Sequence, residues 1–191
     1  MELYHGSNIV VSVPEIRTPS HRLDFGTGFY TTTSFDQAKR WSISKAKLEK
    51  KGSATVSVFT VPDDFLQNKN LDILDFKKAD EQWLDFVIAN RTDKDFIYEH
   101  DIVKGAVAND RVFASLNAFE SGFMDKPTLL KELRTWVYVD QILFHTEKAL
   151  QILKFSRAEQ VCFPKLRKKM SGSLFRIKFQ KSATNYVGKT T

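Results

Sequence analysis

Short runs dense in β-branched and aromatic residues punctuate the chain, and one long segment carries a helical period instead. The short runs predict strands at Leu3-Tyr4, Gly28 to Thr32, Ala54 to Val61 (closed by Pro62), Asp101 to Ala108 and Gln141 to His145. The long segment follows Ser34, where Phe35, Ala38 and Trp41 recur at helical spacing and predict a core-facing stripe. Ser34 suits the N-cap, and Gln37 three residues on completes a capping box. Asp36 lies in the first turn, while Lys47, Lys50 and Lys51 gather before Gly52, as the helix dipole prefers. Further helices are predicted at Asp80 to Asn90, at Arg111 to Ser121 (Val112, Phe113 and Leu116 on one face) and at Pro127 to Thr135. These strands do not alternate regularly with long helices, which disfavours a doubly wound parallel sheet. An α+β fold with short, mostly antiparallel strands is expected.

Composition narrows the class. A chain of 191 residues with 42% hydrophobic content and sixteen Phe buries enough apolar area to fold as one domain. The lone Cys162 excludes a disulfide framework and a cysteine zinc site. Histidines 5, 21, 100 and 145 lack ligand spacing, so no metal is expected. No apolar run approaches the roughly 18 residues of a membrane span, and the first residues show no signal peptide, so a cytoplasmic protein is expected.

The net charge of +6 belongs to one end. Residues 164–191 hold eight Lys or Arg and no acid, whereas the remainder carries 21 bases and 23 acids. The division is therefore a domain over 1–163 and a basic C-terminal tail over 164–191. Such a tail suits phosphate, acidic protein or anionic lipid, or simply aids solubility. Within it, Leu174 to Phe179 alternates apolar and basic residues, as a strand does.

Two short motifs fail on context. Asp24-Phe25-Gly26 matches a kinase tripeptide, but no His-Arg-Asp loop accompanies it and too little chain precedes it for a nucleotide lobe. Gly26-Thr27-Gly28 begins a dinucleotide fingerprint, yet Thr31 stands at the third glycine position. Leu3-Tyr4-His5-Gly6-Ser7 is more informative. It offers an imidazole, a closely approachable backbone and a hydroxyl, which suit a ribose and a carboxamide. Gly-x-Gly-Phe-Tyr-Thr before the capped helix delivers the Tyr30 ring toward a pocket wall, and Trp41 supplies a second ring. Arg22 offers a planar fork to a pyrophosphate. In Gly105-Ala106-Val107-Ala108-Asn109-Asp110, Asp110 fits a helix N-cap and Asn109 a place on the substrate side.

The run FGTGFYTTTSFDQAKRW and the preceding LYHGS resemble paired motifs of the diphtheria-toxin-like ADP-ribosyltransferases and poly(ADP-ribose) polymerases. Together with GAVAND and FHTEKAL they are similar to an uncharacterised bacterial domain family of that superfamily, over roughly Met1 to Phe155. The resemblance implies a split antiparallel β-sheet core with flanking helices, and NAD as substrate. It implies that His5 holds the adenosine ribose, that the Gly6 backbone grips the nicotinamide carboxamide, and that Tyr30 and Trp41 flank the nicotinamide. The family's carboxamide-binding serine falls on Ala38, which leaves Gly6 and Gln37 for that contact. Its catalytic Glu, which opens a strand, falls on Gln141 in Asp140-Gln141-Ile142-Leu143-Phe144, with Asp140, Glu99 and Glu147 as alternatives. Gln accepts a hydrogen bond from the ribose 2′-hydroxyl but brings neither charge nor basicity. The implied activity is mono-ADP-ribosyl transfer to an unidentified protein or nucleic-acid acceptor. A toxin with an antitoxin partner is one such context. The alternatives are an NAD-binding module without turnover and a nucleic-acid-interacting protein acting through its tail.

Overall fold

The structure is a computed structural model that describes residues 1–17, 23–93, 96–97, 99–107 and 110–161. Arg22, Asn109, Cys162 and the basic segment 164–191 lie outside the described residues. The elements run β1 (Glu2–Ser7), β2 (Phe29–Thr31), α1 (Phe35–Glu49), β3 (Thr55–Thr60), β4 (Ile73–Asp75), α2 (Glu81–Thr92), β5 (Ile102–Ala106), α3 (Asp110–Glu120), α4 (Lys126–Leu133), β6 (Asp140–Phe144), α5 (Glu147–Leu150) and β7 (Lys154–Gln160). They build a mixed α/β molecule with two small sheets, ordered β1-β3-β7 and β2-β6-β5-β4. Every strand pair is antiparallel except β4 with β5, which are joined through α2 and run parallel.

Strand alternation sorts the side chains into layers. Leu3, Phe59, Phe29, Ile102, Ile142 and Phe144 meet between the two sheets. Val56 and Val58 point the other way, where Ala38 and Ala46 of α1 cover the first sheet. Val103 and Leu143 emerge on the far face of the second sheet, beneath Trp83, Leu84 and Val87 of α2, Val112 and Leu116 of α3, and Leu129 and Leu133 of α4. The order is thus α1, first sheet, inter-sheet core, second sheet, then α2 to α4.

Local chemistry explains the helix starts. Ser34, Asp80 and Asp125 cap α1, α2 and α4 by accepting the N–H of Gln37, Trp83 and Thr128. The capping box at Ser34 is only half made. The Ser34 N–H goes to the Thr32 hydroxyl, and the Gln37 side chain accepts from Arg40 instead. Lys50, in the left-handed conformation, ends α1 two residues before Gly52.

The expected stripe of α1 is corrected at Trp41, which is 55% exposed. The buried positions are Ala38, Ser42 and Ala46, an i, i+4, i+8 series of small residues. The reason lies in β1, where a Cβ on Gly6 would stand 2.1 Å from the Ala38 carbonyl oxygen and 3.0 Å from the Ser42 nitrogen. Helix and strand approach too closely for any larger side chain between them.

Candidate functional site

Among the described residues a single backbone rung links the edges of the two sheets. Tyr4 and Thr32 exchange backbone hydrogen bonds of 2.9 and 3.0 Å, and among the described residues β1 and β2 make no other backbone pair. Continued antiparallel pairing would set Gly6 opposite Tyr30. Instead the His5 side chain intervenes, with Nδ1 2.7 Å from the Tyr30 carbonyl oxygen. Because the Tyr4 N–H and C=O leave toward Thr32, those of Gly6, two residues on, point to the same edge. Gly6 is buried, has α1 packed against its Cα and turns its two backbone polar groups toward the side where β1 parts from β2.

Burial pushes the His5 imidazole below its ordinary pKa, so the ring is neutral. Since a carbonyl only accepts, Nδ1 carries the proton and Nε2 is left as an acceptor. The ring stacks on Phe29 at 4.5 Å and 23°. It therefore lies on the inter-sheet side of β1, opposite the side that Tyr4 and Gly6 turn to α1.

Tyr30 and Gln141 share the other face. Tyr30 opposes Leu143, two residues from Gln141 on the central strand β6, so both side chains project toward the α2–α4 layer. The Tyr30 hydroxyl donates to the Gly26 carbonyl at 2.8 Å and accepts from the Phe25 N–H at 3.3 Å. The phenol thus fastens the Asp24 to Gly28 turn back onto β2. A Cβ at Gly28, whose φ is +153°, would meet the Phe144 carbonyl oxygen at 2.5 Å, so this turn passes β6 in backbone contact. The Gln141 amide nitrogen donates to the Ala106 carbonyl at 3.4 Å.

Two anchors of the turn were missed in the sequence. Arg91 at the end of α2 reaches Asp24 at 3.4 Å, Glu120 at 2.6 Å and Asn117 at 2.7 Å, and lies 4.6 Å over the Phe113 ring. His145 hydrogen-bonds the Thr27 backbone, and burial pushes its pKa down to about 4. Arg91 belongs to none of the quoted motifs, and His145, although within FHTEKAL, has no neighbour in sequence that points to the Thr27 turn.

The candidate carboxylates lie elsewhere. Asp140 projects to the opposite face of β6 from Gln141 and sits 3.6 Å from the Lys104 ammonium. Glu99 and Glu147 are exposed and lie outside the strands. Among the described residues, no three of His, Cys, Asp and Glu gather to hold a metal ion.

The family of proteins of unknown function designated DUF3990 matches residues 1–155. The chain belongs to that family. No curated protein and no solved structure matches it. The DUF3990 region contains all of the residues just described and stops within β7.

The remaining candidates in the DUF3990 region divide by exposure. Ser7 is buried, with its hydroxyl 3.4 Å from the Asn8 side-chain oxygen. Gln37 is half-buried at the start of α1, its carbonyl oxygen taken by Arg40 at 2.8 Å. Trp41, one turn beyond Ala38, stands in solvent. No described helix is long and apolar enough to cross a membrane.

Proposed function

We propose that this DUF3990 chain has an ADP-ribosyltransferase-like fold and transfers a single ADP-ribose from NAD to an acceptor. The observation that carries the reading is the break in strand pairing past the Tyr4–Thr32 rung, where Gly6 sets a backbone donor and acceptor on one edge. A carboxamide needs that pair: its NH2 donates to a carbonyl and its oxygen accepts from an N–H. Tyr30 and Gln141, on one face of the second sheet, supply an aromatic ring and an amide beside it. In this reading His5 Nε2 accepts from a ribose hydroxyl.

In the proposed reaction the bond between the ribose C1′ and the nicotinamide nitrogen breaks, and its electron pair leaves with nicotinamide. The acceptor's nucleophile forms the new bond to C1′ and releases a proton. The transition state carries positive charge on the ribose, which a carboxylate stabilises better than the Gln141 amide does. The amide also cannot take the acceptor's proton. Slow mono-transfer to an acceptor that is nucleophilic without assistance follows. The hydrogen bond from Gln141 to Ala106 favours a second reading, an NAD-binding module without turnover, since it ties the amide to backbone.

The test is incubation of the purified protein with isotopically labelled NAD and a lysate of its host, followed by mass spectrometry. An acceptor heavier by one labelled ADP-ribose supports transfer. Calorimetric NAD binding without nicotinamide release supports the module. No binding, transfer or release overturns both.

A further inference from the structure

The solvent face of α1 combines unpaired positive charge with an exposed aromatic ring. Arg40 and Lys47 of α1 are exposed, as is Lys51 in the turn that follows the helix, and none forms an ion pair among the described residues, although the Lys51 charge also acts on Glu49. Arg40 and Lys47 are seven residues apart, about 10 Å along the axis on nearly the same side. Beside them run Trp41, 55% exposed, and Leu48, 78% exposed, again seven residues apart, with exposed Ser44 between. The only acids in this helix are Asp36 in its first turn and Glu49 in its last, and Glu49 is engaged by Lys45 at 2.8 Å.

We infer that this face of α1 docks a single-stranded nucleic acid, with Arg40, Lys47 and Lys51 against phosphates and the Trp41 indole stacked on a base. Charge complementarity selects a polyanion. The flat, accessible ring selects one with unstacked bases, because an aromatic platform and a cationic track together are how sequence-tolerant single-strand sites are built. A lipid surface fits less well: a helix lying in a membrane interface buries a broad apolar face, whereas here only Trp41 and Leu48 are apolar and exposed. This surface shares no residue with those the proposed function gives to NAD, although the resemblance also sets Trp41 beside the nicotinamide, and it is tested without NAD.

The experiment titrates the full chain with single-stranded oligo(dT), following both fluorescence anisotropy of a labelled oligonucleotide and intrinsic tryptophan emission. Of the three tryptophans, Trp83 is fully buried and Trp136 partly buried, so base stacking quenches Trp41. Binding weakens at least fivefold in the Arg40→Gln/Lys47→Gln/Lys51→Gln variant. The slope of log affinity against log salt falls by about 2, as expected for three lost phosphate contacts on a single strand. Trp41→Phe retains most of the affinity and loses the quenching, whereas Trp41→Ala weakens binding about fivefold or more. The basic segment 164–191 is common to all variants and sets their shared background. Unchanged affinity in both the triple variant and Trp41→Ala, or no quenching in the wild type, overturns the proposal. So does quenching by vesicles of phosphatidylserine but not by oligo(dT), which assigns the face to a membrane. All substituted side chains are exposed, and circular dichroism verifies that the fold is intact.

Discussion

His5 and Tyr30, twenty-five residues apart, meet where β1 parts from β2, the imidazole Nδ1 donating to the Tyr30 carbonyl at 2.7 Å. This contact takes the place of the next backbone rung between β1 and β2. His5→Ala removes both the hydrogen bond and the stack on Phe29. It is expected to lower NAD affinity at least fivefold, about 1 kcal/mol, and to lower stability by a similar amount. Calorimetry and a urea titration measure the two separately.

Gly6 has no room for a methyl group, since its Cβ would overlap the Ala38 carbonyl at 2.1 Å. Backbone cannot swing aside as a side chain does, so Gly6→Ala must displace α1 from β1. A loss of about 1–3 kcal/mol is expected from such overpacking. A thermal melt unchanged from wild type would show that the helix stands farther off the strand.

Two tryptophans should behave oppositely. Trp83, on the inner face of α2, is fully buried, and Trp83→Ala is expected to cost about 3–5 kcal/mol. Trp41 is 55% exposed, and Trp41→Ala is expected to change stability by no more than about 0.5 kcal/mol. Chemical denaturation of both variants checks the contrast.

That contrast marks where the sequence was legible. Ser34 announces its helix because the capping signal is local, and the β-branched runs announce β3 and β6 for the same reason. The stripe of α1 was misread because Ala38, Ser42 and Ala46 are small. Their burial follows from the close approach of Gly6, a long-range contact with little hydropathy of its own. β7 escaped notice because it is an exposed edge strand, Lys-Phe-Ser-Arg-Ala-Glu-Gln, with no apolar alternation. β4 spans three residues and gains its place from parallel pairing with β5. Within the candidate site, the His5–Tyr30 contact joins the two quoted motifs. The hold of Arg91 and His145 on the intervening turn was not legible in the sequence, because each acts across the fold.

His145 predicts a pH dependence. Its folded pKa of about 4 lies below the unfolded value near 6.5, so the unfolded chain binds more protons between those limits. Stability therefore rises with pH across this window and is lost as pH falls from about 6.5 to about 4, by up to about 3 kcal/mol. His145→Gln should flatten that part of the curve, as read from melting temperatures across the window. An equally steep curve in the variant would place the titration elsewhere, His5 being the next group to test.

The most direct measurement of the proposed NAD chemistry is nicotinamide release from NAD by the wild type and by Gln141→Glu. Gln141 is the second residue of β6, on the face that Tyr30 shares, and in the proposed reaction a carboxylate there would stabilise the ribosyl cation where the amide does not. The expected result is slow release by the wild type, faster release by Gln141→Glu, and NAD affinity altered less than rate. Equal and negligible release by both proteins, with no NAD binding by either, would contradict the account.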